Sequence, residues 1–304
     1  MFFYLKMINN TLDTVSACNI CGEKDFRIIH KNIINNKSIL RCKKCGVWMK
    51  HPSLSKEAIR AIYDENYYNS WAYSRENLEL VRSVKRPLYL SVLKEINPSS
   101  KPFKILDLGC AMGFSLEAAA ELGLEPHGIE ISEFSGKIAM EKFGDAVKIS
   151  DIKDTDLADN SFDAITMIDL FEHISDPIVI LKKINRALKD QGLLAIVAPN
   201  SSSISSRIMG SRWPHIKEEH IYYYSPATIK RTLNECGFEI IKIISFPKPI
   251  TLAYARSVLR YSRHYLMYTF FNIISGIATK KFSAHNFKIP MGEMLVVAKK
   301  TCHA

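Results

Sequence analysis

The sequence has no run of 18 or more uncharged apolar residues, so we do not expect a membrane-spanning helix. Its first ten residues, MFFYLKMINN, become polar too soon for a secretory signal, and we expect a cytoplasmic protein. The 304 residues are 47% hydrophobic. That content is enough for one large α/β domain with a small appended module.

Negative charge is scarce at both ends of the chain. Residues 1–100 contain 16 Lys and Arg against 9 Asp and Glu, and residues 201–304 contain 15 against 5, whereas residues 101–200 contain 10 against 17. An acidic centre argues against a uniform nucleic-acid-binding surface and suits an uncharged or cationic ligand. The basic ends are compatible with a phosphate-bearing substrate, RNA, a membrane surface or simple solvation.

Four of the seven cysteines form two CxxC pairs, CNICG and CKKCG, with 20 residues between the pairs. Four thiolates on two such turns can surround one Zn²⁺ ion, and the glycine after each pair lets backbone amides turn toward sulfur. The intervening residues alternate like a short hairpin, which predicts a zinc ribbon over residues 1–52. Four protein ligands would make this zinc structural; a disulfide pair and unrelated cysteines are the alternatives. The predicted ligands are Cys18, Cys21, Cys42 and Cys45.

Residues 53–102 are predicted to form a helical linker or cap. A helix starts at Ser55, and residues 75–96 have helical periodicity that Pro87 is expected to interrupt. Between these helices lies an aromatic patch, for which we favour packing over ligand contact. Its members are Tyr67, Tyr68, Trp71 and Tyr73.

From residue 103 onward, short apolar runs alternate with helical stretches. Strands are predicted at 103–108, 124–131, 146–150, 161–169, 192–200, 238–246 and 293–300, and helices at 114–123, 133–144, 176–190 and 225–237. This alternation predicts an α/β domain over residues 103–304 with a doubly wound, mostly parallel, seven-stranded sheet. The long gap before the last strand leaves residues 247–290 as a helical insertion.

The segment ILDLGCAMGF contains the turn after the first strand of this domain. A phosphate-binding P-loop is excluded because its lysine and hydroxyl are missing, and the dinucleotide pattern GxGxxG fits poorly because Ala111 and Phe114 replace glycines. The spacing that fits is acidic, x, Gly, x, small, x, Gly. Gly109 and Gly113 would let a small aliphatic group approach, while Asp107 could orient a protonated amine.

Carboxylates also lie at the end of the next strand, at Glu130, and directly after the third strand, at Asp151. Glu130 can accept both hydroxyls of a ribose, and Asp151 can accept from an adenine amino group. Together these residues resemble the class I S-adenosylmethionine-dependent methyltransferases, over about residues 75–245 plus the final strand. The resemblance implies a Rossmann-like methyltransferase fold and S-adenosylmethionine as cofactor. By position, it implies a cofactor site lined by Asp107, Gly109, Cys110, Gly113, Glu130, Asp151, Ile152, Asp169 and Leu170.

One residue departs from the family pattern. The family most often has glycine where this sequence has Ala111. The added methyl group should narrow the cofactor pocket without abolishing it.

Two further segments extend the resemblance. SFDAITMIDLFEHISDP resembles the fourth strand and following loop of the small-molecule branch, and SRWPHIKEEHIYYYSPATIKRTL resembles the acceptor loop of zinc-ribbon methyltransferases of sugar and polysaccharide pathways. An acceptor such as a nucleotide-linked or lipid-linked sugar or glycan is implied. The implied acceptor-pocket residues are Trp213, His215, His220, Tyr222 and Tyr223; the alternative is an aromatic loop packed on the sheet.

Candidate catalytic residues lie in the same two segments. Much of the catalysis of methyl transfer can be positioning, and a general base is needed only for a weakly acidic nucleophile. The candidate bases are His220 and His173, and Glu172 could orient either of them or bind substrate. A structural role in capping loops is the alternative for both histidines.

The insertion is aromatic and basic over residues 255–282. Its apolar stretch of about 14 residues, between Arg263 and Lys280, is too short to span a bilayer but suits an interfacial helix, a lid or a dimer contact. A lipid-linked acceptor would make this segment a peripheral contact at the inner face of the membrane. A buried helix pair over the site is the alternative.

Two other functions compete with methylation of a small molecule. An RNA methyltransferase, acting on rRNA or tRNA, is disfavoured because the loop after the fourth strand reads MIDLFEH rather than [DN]PP[FY]. The cysteine module also lacks a dense basic run interleaved with aromatics, so a nucleic-acid partner is not expected. A non-catalytic S-adenosylmethionine-binding module is disfavoured by the intact set of Asp107, Gly109, Gly113 and Glu130.

Overall fold

The computed structural model describes residues 17–53, 62, 67–68, 77–96, 103–260, 269, 272 and 285–301. Within these ranges, no helix is both long and apolar enough to cross a membrane. The predicted start of a helix at Ser55, the aromatic residues Trp71 and Tyr73, and residues 261–268, 270–271 and 273–284 of the insertion lie outside the described residues.

The strands are β1 (Phe26–Ile34), β2 (Lys37–Cys42), β3 (Trp48–His51), β4 (Lys104–Leu108), β5 (Glu125–Glu130), β6 (Val147–Ile149), β7 (Phe162–Ile168), β8 (Leu188–Pro199), β9 (Tyr222–Tyr223), β10 (Phe238–Ser245), β11 (Lys248–Ile250), β12 (Phe287–Ile289) and β13 (Glu293–Lys300). The α-helices are α1 (Leu78–Ile96), α2 (Phe114–Glu121), α3 (Glu133–Phe143), α4 (Pro177–Ala187), α5 (Ile204–Met209), α6 (Pro226–Asn234) and α7 (Leu252–Arg260).

The central sheet has seven strands in the order β10–β13–β8–β7–β4–β5–β6. Strands β8, β7, β4, β5 and β6 pair in parallel, whereas β13 is antiparallel to both of its neighbours, β8 and β10. This arrangement confirms the predicted doubly wound, mostly parallel sheet. The order reverses at β4, because the chain runs outward through β5 and β6 and then returns to β7 on the other side. Ligands bind at such a switch point, beyond the carboxyl ends of the strands.

Helix α1 differs from its prediction, because it continues through Pro87 instead of being interrupted there. Proline has no N–H, so it cannot bond to the carbonyl one turn earlier, at Ser83. The side-chain amide of Asn286 donates to that carbonyl oxygen at 3.3 Å. The buried face of the helix, which includes Leu88 and Val92, packs on the central sheet. This packing offsets the free-energy cost of the backbone hydrogen bond that Pro87 cannot make.

The boundary between α4 and β8 also differs from the prediction. The sequence predicts helix as far as Asp190, but the helix ends at Ala187 and the strand begins at Leu188. Leu188 is fully buried and pairs with Phe162 of β7. Its burial in the sheet therefore overrides the local helical pattern.

A second sheet joins the N-terminal module to a distant part of the chain. The predicted hairpin is present as β1 and β2, and the four-stranded sheet has the order β1–β2–β3–β9. Trp48 and Met49 of β3 pair with Tyr223 and Tyr222 of β9. One hydrophobic cluster includes residues of both partners and extends to Phe171. The sequence did not predict this shared sheet.

The segment after β9 begins α6 with strong local signals. Ser225 Oγ accepts from the backbone N–H of Thr228 at 3.3 Å, and Thr228 Oγ1 accepts from the backbone N–H of Ser225 at 2.8 Å. Pro226 occupies the first turn. This reciprocal cap fixes the end of β9 and therefore the residues that precede it.

Candidate active site

A cavity of about 560 Å³ lies at the carboxyl ends of β4, β5 and β7. That volume falls in the range of small-molecule sites. Six of the nine residues predicted to hold the cofactor line it: Gly109, Glu130, Asp151, Ile152, Asp169 and Leu170. We call this part of the cavity the cofactor end.

The glycine turn after β4 forms the floor of the cofactor end. Gly109 has φ +72°, in the left-handed region that favours glycine. A Cβ atom there would lie 3.2 Å from Leu170 Cδ1, so the absence of a side chain keeps the floor open. Ala111 has φ +47° and is the residue in this turn whose conformation is strained for an L-amino acid.

Glu130 is buried beside that turn, and its carboxylate collects several donors. It accepts from the backbone N–H groups of Ala111 at 2.8 Å and Ser132 at 2.9 Å, and from the Tyr68 hydroxyl at 3.3 Å. Burial raises the pKa of Glu130, while the N–H groups of Ser132 and Ala111 oppose that rise. A carboxylate has about four acceptor sites, so one remains for a ligand hydroxyl.

Tyr68 is a residue of the cofactor end that the sequence did not assign to a site. The sequence favoured packing for it, and it is indeed buried, but it also lines the cavity. Ser135 Oγ donates to its hydroxyl at 2.9 Å, and that hydroxyl donates to Glu130. No local pattern distinguishes Tyr68 from the other aromatics of its segment.

Three residues predicted to hold the cofactor do not line the cavity: Asp107, Cys110 and Gly113. Asp107 accepts hydrogen bonds from Ser115 Oγ and, at 2.6 Å, from Thr166 Oγ1. Burial raises its pKa to about 6. Its carboxyl group therefore joins the end of β4 to the start of α2 and to β7, beneath the floor rather than in the cavity.

The other end of the cavity is lined by a cluster of titratable side chains, and we call it the acceptor end. Glu172 and His173 lie on a 3-10 turn after β7, and His220 comes from the segment before β9. One ligand atom from each lies within 4.8 Å of the others, and the two imidazole rings meet edge-on with centroids 4.6 Å apart. The three predicted catalytic residues thus lie together. Their donor types could also hold a divalent cation.

Burial sets the protonation of this cluster. Burial and the charge of Asp169 raise the pKa of Glu172 to about 8. Burial and the charge of Lys217 lower the pKa of His173 to about 3, and burial together with His173 lowers the pKa of His220 well below its usual range. Both imidazoles are therefore neutral at pH 7, and the carboxyl group of Glu172 is mostly protonated.

Two atoms of the cluster have no hydrogen-bond partner within the described part of the chain. They are Glu172 Oε2 and His220 Nδ1, and both are buried. An unsatisfied buried polar atom costs about 1–3 kcal/mol. A bound ligand that pairs with these atoms would remove that cost.

A partly buried ion-pair network lies next to the cluster. Lys248 Nζ lies 2.6 Å from Asp169 Oδ1 and 3.6 Å from Glu293 Oε1, and His215 Nε2 lies 3.3 Å from the same Glu293 oxygen. Burial would lower the pKa of Lys248, but Asp169 and Glu293 raise it above its usual value. Lys248 lies at the start of the insertion, in β11, and Glu293 begins β13 after it, and no local sequence pattern marks them as site residues.

We call residues 211–224 the acceptor segment. Of the residues predicted there for the acceptor pocket, His215 and His220 line the cavity. The others do not: Trp213, Tyr222 and Tyr223. Trp213 Nε1 donates to Ser205 Oγ at 3.1 Å and to the carbonyl of Met291 at 3.2 Å. The three aromatic residues are buried where the segment packs on its neighbours, as in the alternative interpretation of this loop.

The methyltransferase domain family matches residues 68–243, more than half of the chain. This chain belongs to that family. The curated relatives include the ubiquinone biosynthesis O-methyltransferase of Thiobacillus denitrificans, 27% identical over 165 residues, which are 50% of this chain and 71% of that protein. The enzyme of the same name from Idiomarina loihiensis is 30% identical over 154 residues, 46% of this chain and 63% of that protein.

Solved structures show the same fold. A SAM-dependent methyltransferase from Archaeoglobus fulgidus aligns with a TM-score of 0.51 and 23% identity, covering 78% of this chain and all of that one. The Haemonchus contortus phosphoethanolamine N-methyltransferase 2, in complex with S-adenosyl-L-methionine, aligns with a TM-score of 0.51 and 21% identity, covering 84% and 63%. The protein is an S-adenosylmethionine-dependent methyltransferase. Its open glycine floor and buried Glu130 fit that cofactor.

The four cysteines of the methyltransferase's N-terminal module form a second cluster. Their sulfur atoms all lie within 4.8 Å of one another, with 3.7 Å between Cys18 and Cys45 and 3.5 Å between Cys21 and Cys42. Zn–S bonds of about 2.3 Å in a tetrahedron would separate sulfurs by about 3.8 Å. The set therefore has the donor type and spacing that one tetrahedral metal ion requires.

Proposed function

We propose that this methyltransferase transfers the methyl group to a hydroxyl group of a small-molecule acceptor. The observation that carries the proposal is the cluster of Glu172, His173 and His220 at the acceptor end, in which Glu172 and His220 are buried. A hydroxyl is a weakly acidic nucleophile, so it benefits from a positioned general base, whereas a neutral amine already has the lone pair that attacks the methyl group. The names of the curated relatives, which are O-methyltransferases, support oxygen as the acceptor atom.

At the cofactor end, Glu130 would accept from one ribose hydroxyl, and Asp151 and Ile152 would flank the adenine. When bound, S-adenosylmethionine supplies an electrophilic methyl group on a positively charged sulfur. Gly109 leaves room for the chain that carries that sulfur, beside Leu170. The acidic residues at this end suit a cationic cofactor.

At the acceptor end, His220 would be the general base. Its Nδ1 atom is unpaired among the described residues and neutral at pH 7, so it can accept the proton that the acceptor hydroxyl loses. His173 bonds to the backbone of Glu219, which suits a role in positioning. Once ionised, Glu172 would stabilise the imidazolium that forms beside it.

The acceptor class we propose is a sugar or glycan unit linked to a nucleotide or a lipid. The pattern of residues 211–233 and the four-cysteine module support this class through their resemblance to zinc-ribbon methyltransferases of sugar pathways. The names of the curated relatives point to a ubiquinone precursor instead. Both acceptor classes present a hydroxyl, so one assay can compare them.

We also propose that the four cysteines hold a structural zinc ion. The sulfur spacing and the backbone turn at Gly22, whose N–H donates to the carbonyl of Cys18 at 2.8 Å, support a closed tetrahedral site. Elemental analysis of the purified protein should find about one zinc per chain, as four thiolate ligands imply. Substitution of Cys42 by Ser should release it.

The test of the proposed function is a labelled-methyl assay with an acceptor panel of nucleotide sugars, lipid-linked sugars, catechols and RNA. We expect transfer to one small-molecule class. His220→Ala should lower kcat by about 100-fold or more, the usual contribution of a general base, without weakening S-adenosylhomocysteine binding. Transfer to RNA alone would contradict the proposal.

A matched control comes from the central sheet. His127 on β5 is partly buried, and its Nε2 lies 2.9 Å from Oε1 of the exposed Glu125. His127 does not line the cavity. His127→Ala should therefore leave kcat within about two-fold of the wild type, since surface substitutions rarely matter. Equal losses in both variants would remove His220 from the proposed role.

A further inference from the structure

Lys50 is a lysine on β3 of the N-terminal module with only 1% of its surface exposed. Its Nζ donates to the backbone carbonyl of Lys217 at 2.8 Å and to the adjacent carbonyl of Glu218. Its own backbone N–H donates to the carbonyl of Ile221 at 2.8 Å. Lys50 thus makes three hydrogen bonds to the backbone of the acceptor segment.

An ammonium group is costly to bury, and this site compensates that cost only in part. Burial and the positive charge of Lys37 lower the pKa of Lys50 to about 8, against the attraction of Glu219 and Glu218. An apolar side chain would fill the same space without this cost. The two backbone carbonyls are therefore the feature that a lysine satisfies and an apolar residue cannot.

The backbone that Lys50 binds leads directly to the acceptor end of the cavity. Lys217, one of the bonded residues, lines the cavity, and His220 follows three positions later. Ile221, whose carbonyl bonds to Lys50, donates its N–H to the carbonyl of Glu172 at 2.9 Å. These bonds place His220 between two anchors, one on the N-terminal module and one on the turn after β7.

We infer that Lys50 is a positioning residue through which the N-terminal module holds the acceptor segment in its catalytic shape. Through Lys50 the module contacts the acceptor segment and not the cofactor end. Loss of the Lys50 side chain should therefore leave cofactor binding unaffected. This inference rests on the proposed role of His220 and the acceptor end. Lys50, which is remote in sequence and belongs to the N-terminal module, would then determine how tightly the acceptor binds.

The test compares Lys50→Met with Lys37→Met by hydrogen–deuterium exchange of the full-length protein without ligand. Lys37 is the matched control, because it is also a buried lysine of the module, on β2. Its Nζ has no hydrogen-bond partner among the described residues and lies 3.6 Å from the partly exposed carboxylate of Glu218. It therefore makes an ion pair with the segment but does not bind its backbone.

We expect peptides within residues 213–221 to exchange about ten-fold faster in Lys50→Met, because the lost bonds lower the cost of local opening. In Lys50→Met, the exchange rates of peptides from β4, β5 and β7 and the affinity for S-adenosylhomocysteine should be unchanged. In Lys37→Met, peptides within residues 213–221 should exchange at the wild-type rate. Lys50→Gln, which keeps one donor group, should give an intermediate result and serves if the methionine variant does not fold.

Three results would overturn the inference. One is unchanged exchange in residues 213–221, and another is the same increase in Lys37→Met. The third is a general increase that includes the central strands, which would indicate lost stability rather than lost positioning. Because exchange needs no acceptor, this outcome is independent of whether a hydroxyl acceptor is found. With an acceptor in hand, Lys50→Met should lower acceptor kcat/KM by about ten-fold and leave the KM for S-adenosylmethionine unchanged.

Discussion

The two ends of the cavity are built in different ways. The cofactor end comes mostly from the ends of consecutive strands and the turns that follow them, within residues 105–170. The acceptor end combines residues 172–175, 214–220, 248–250 and 289–293, which the fold brings together from distant parts of the chain. Local sequence patterns therefore specify the first end, while long-range packing specifies the second.

The largest expected effect is at the floor of the cofactor end. Gly109→Val would place a branched side chain at φ +72° and against Leu170, and should weaken S-adenosylhomocysteine binding by about 100-fold or more, about 2.7 kcal/mol. Isothermal titration calorimetry measures the affinity, and circular dichroism checks that the variant is folded.

Gly144→Val is the control for that substitution. Gly144 also has positive φ, +51°, but a Cβ atom there would have nothing within 4 Å. The Gly144→Val variant therefore has backbone strain at a positive φ but no new contact in the cavity. Its affinity for S-adenosylhomocysteine should stay within about two-fold of the wild type. If both variants lost affinity equally, strain alone would explain the effect.

The sequence predicted much of the cofactor end because strand, turn and helix signals there are local. Gly109 and Glu130 follow from their positions at the ends of predicted apolar strands, whereas Asp169 follows from the resemblance to class I methyltransferases. Asp107 was located correctly at the end of its strand, but which way its side chain points depends on the register of β4 against β7, and it bonds to Thr166.

The acceptor end was predictable only in part. His173 and His220 were proposed from two separate motifs, but their contact depends on how the segment before β9 packs on the turn after β7. Lys248 comes from β11, and Lys50 reaches the acceptor segment because β3 pairs with β9. Neither relation leaves a periodic pattern in the sequence, because sheet pairing between distant segments depends on the whole fold.

The second-largest expected effect is on the pH dependence of acceptor kcat/KM. Glu172 has a pKa raised to about 8, so its stabilising carboxylate is present above that pH and is lost as the pH falls. Acceptor kcat/KM should therefore rise as the pH approaches 8, and bound cationic cofactor should shift this limb to lower pH. In Glu172→Gln the limb should disappear and the plateau should fall by about ten-fold.

A pH-rate profile of both proteins measures this effect. An unchanged acid limb in Glu172→Gln would show that another group controls it. The affinity of Glu172→Gln for S-adenosylhomocysteine should remain within about two-fold of the wild type. That result would show that the substitution affects the acceptor end and not the cofactor end.

A smaller effect is expected for Tyr68, which reaches the cofactor end from outside the strand ends. Tyr68→Phe removes one donor to Glu130, a loss of about 0.5–1.5 kcal/mol. Affinity for S-adenosylhomocysteine should fall by about three-fold to ten-fold, as measured by calorimetry. Unchanged affinity would leave Tyr68 with a packing role alone.

The smallest effect is expected at Ala111, where this chain departs from the family's usual glycine. Relief of the strain at φ +47° should slightly exceed the greater chain entropy of glycine in the unfolded state. Ala111→Gly should therefore stabilise the protein by up to about 1 kcal/mol in urea unfolding and leave cofactor affinity intact. A clear loss of stability would mean that the methyl group makes favourable contacts that exceed the strain.

Glu130 provides the most direct test of the claim that the ends of β4 and β5 form the cofactor site. Calorimetry should show S-adenosylhomocysteine binding to one site on the wild type, about ten-fold weaker binding to Glu130→Gln, and wild-type affinity in His220→Ala. Absence of binding to the folded wild type, or equal affinity in wild type and Glu130→Gln, would contradict the account.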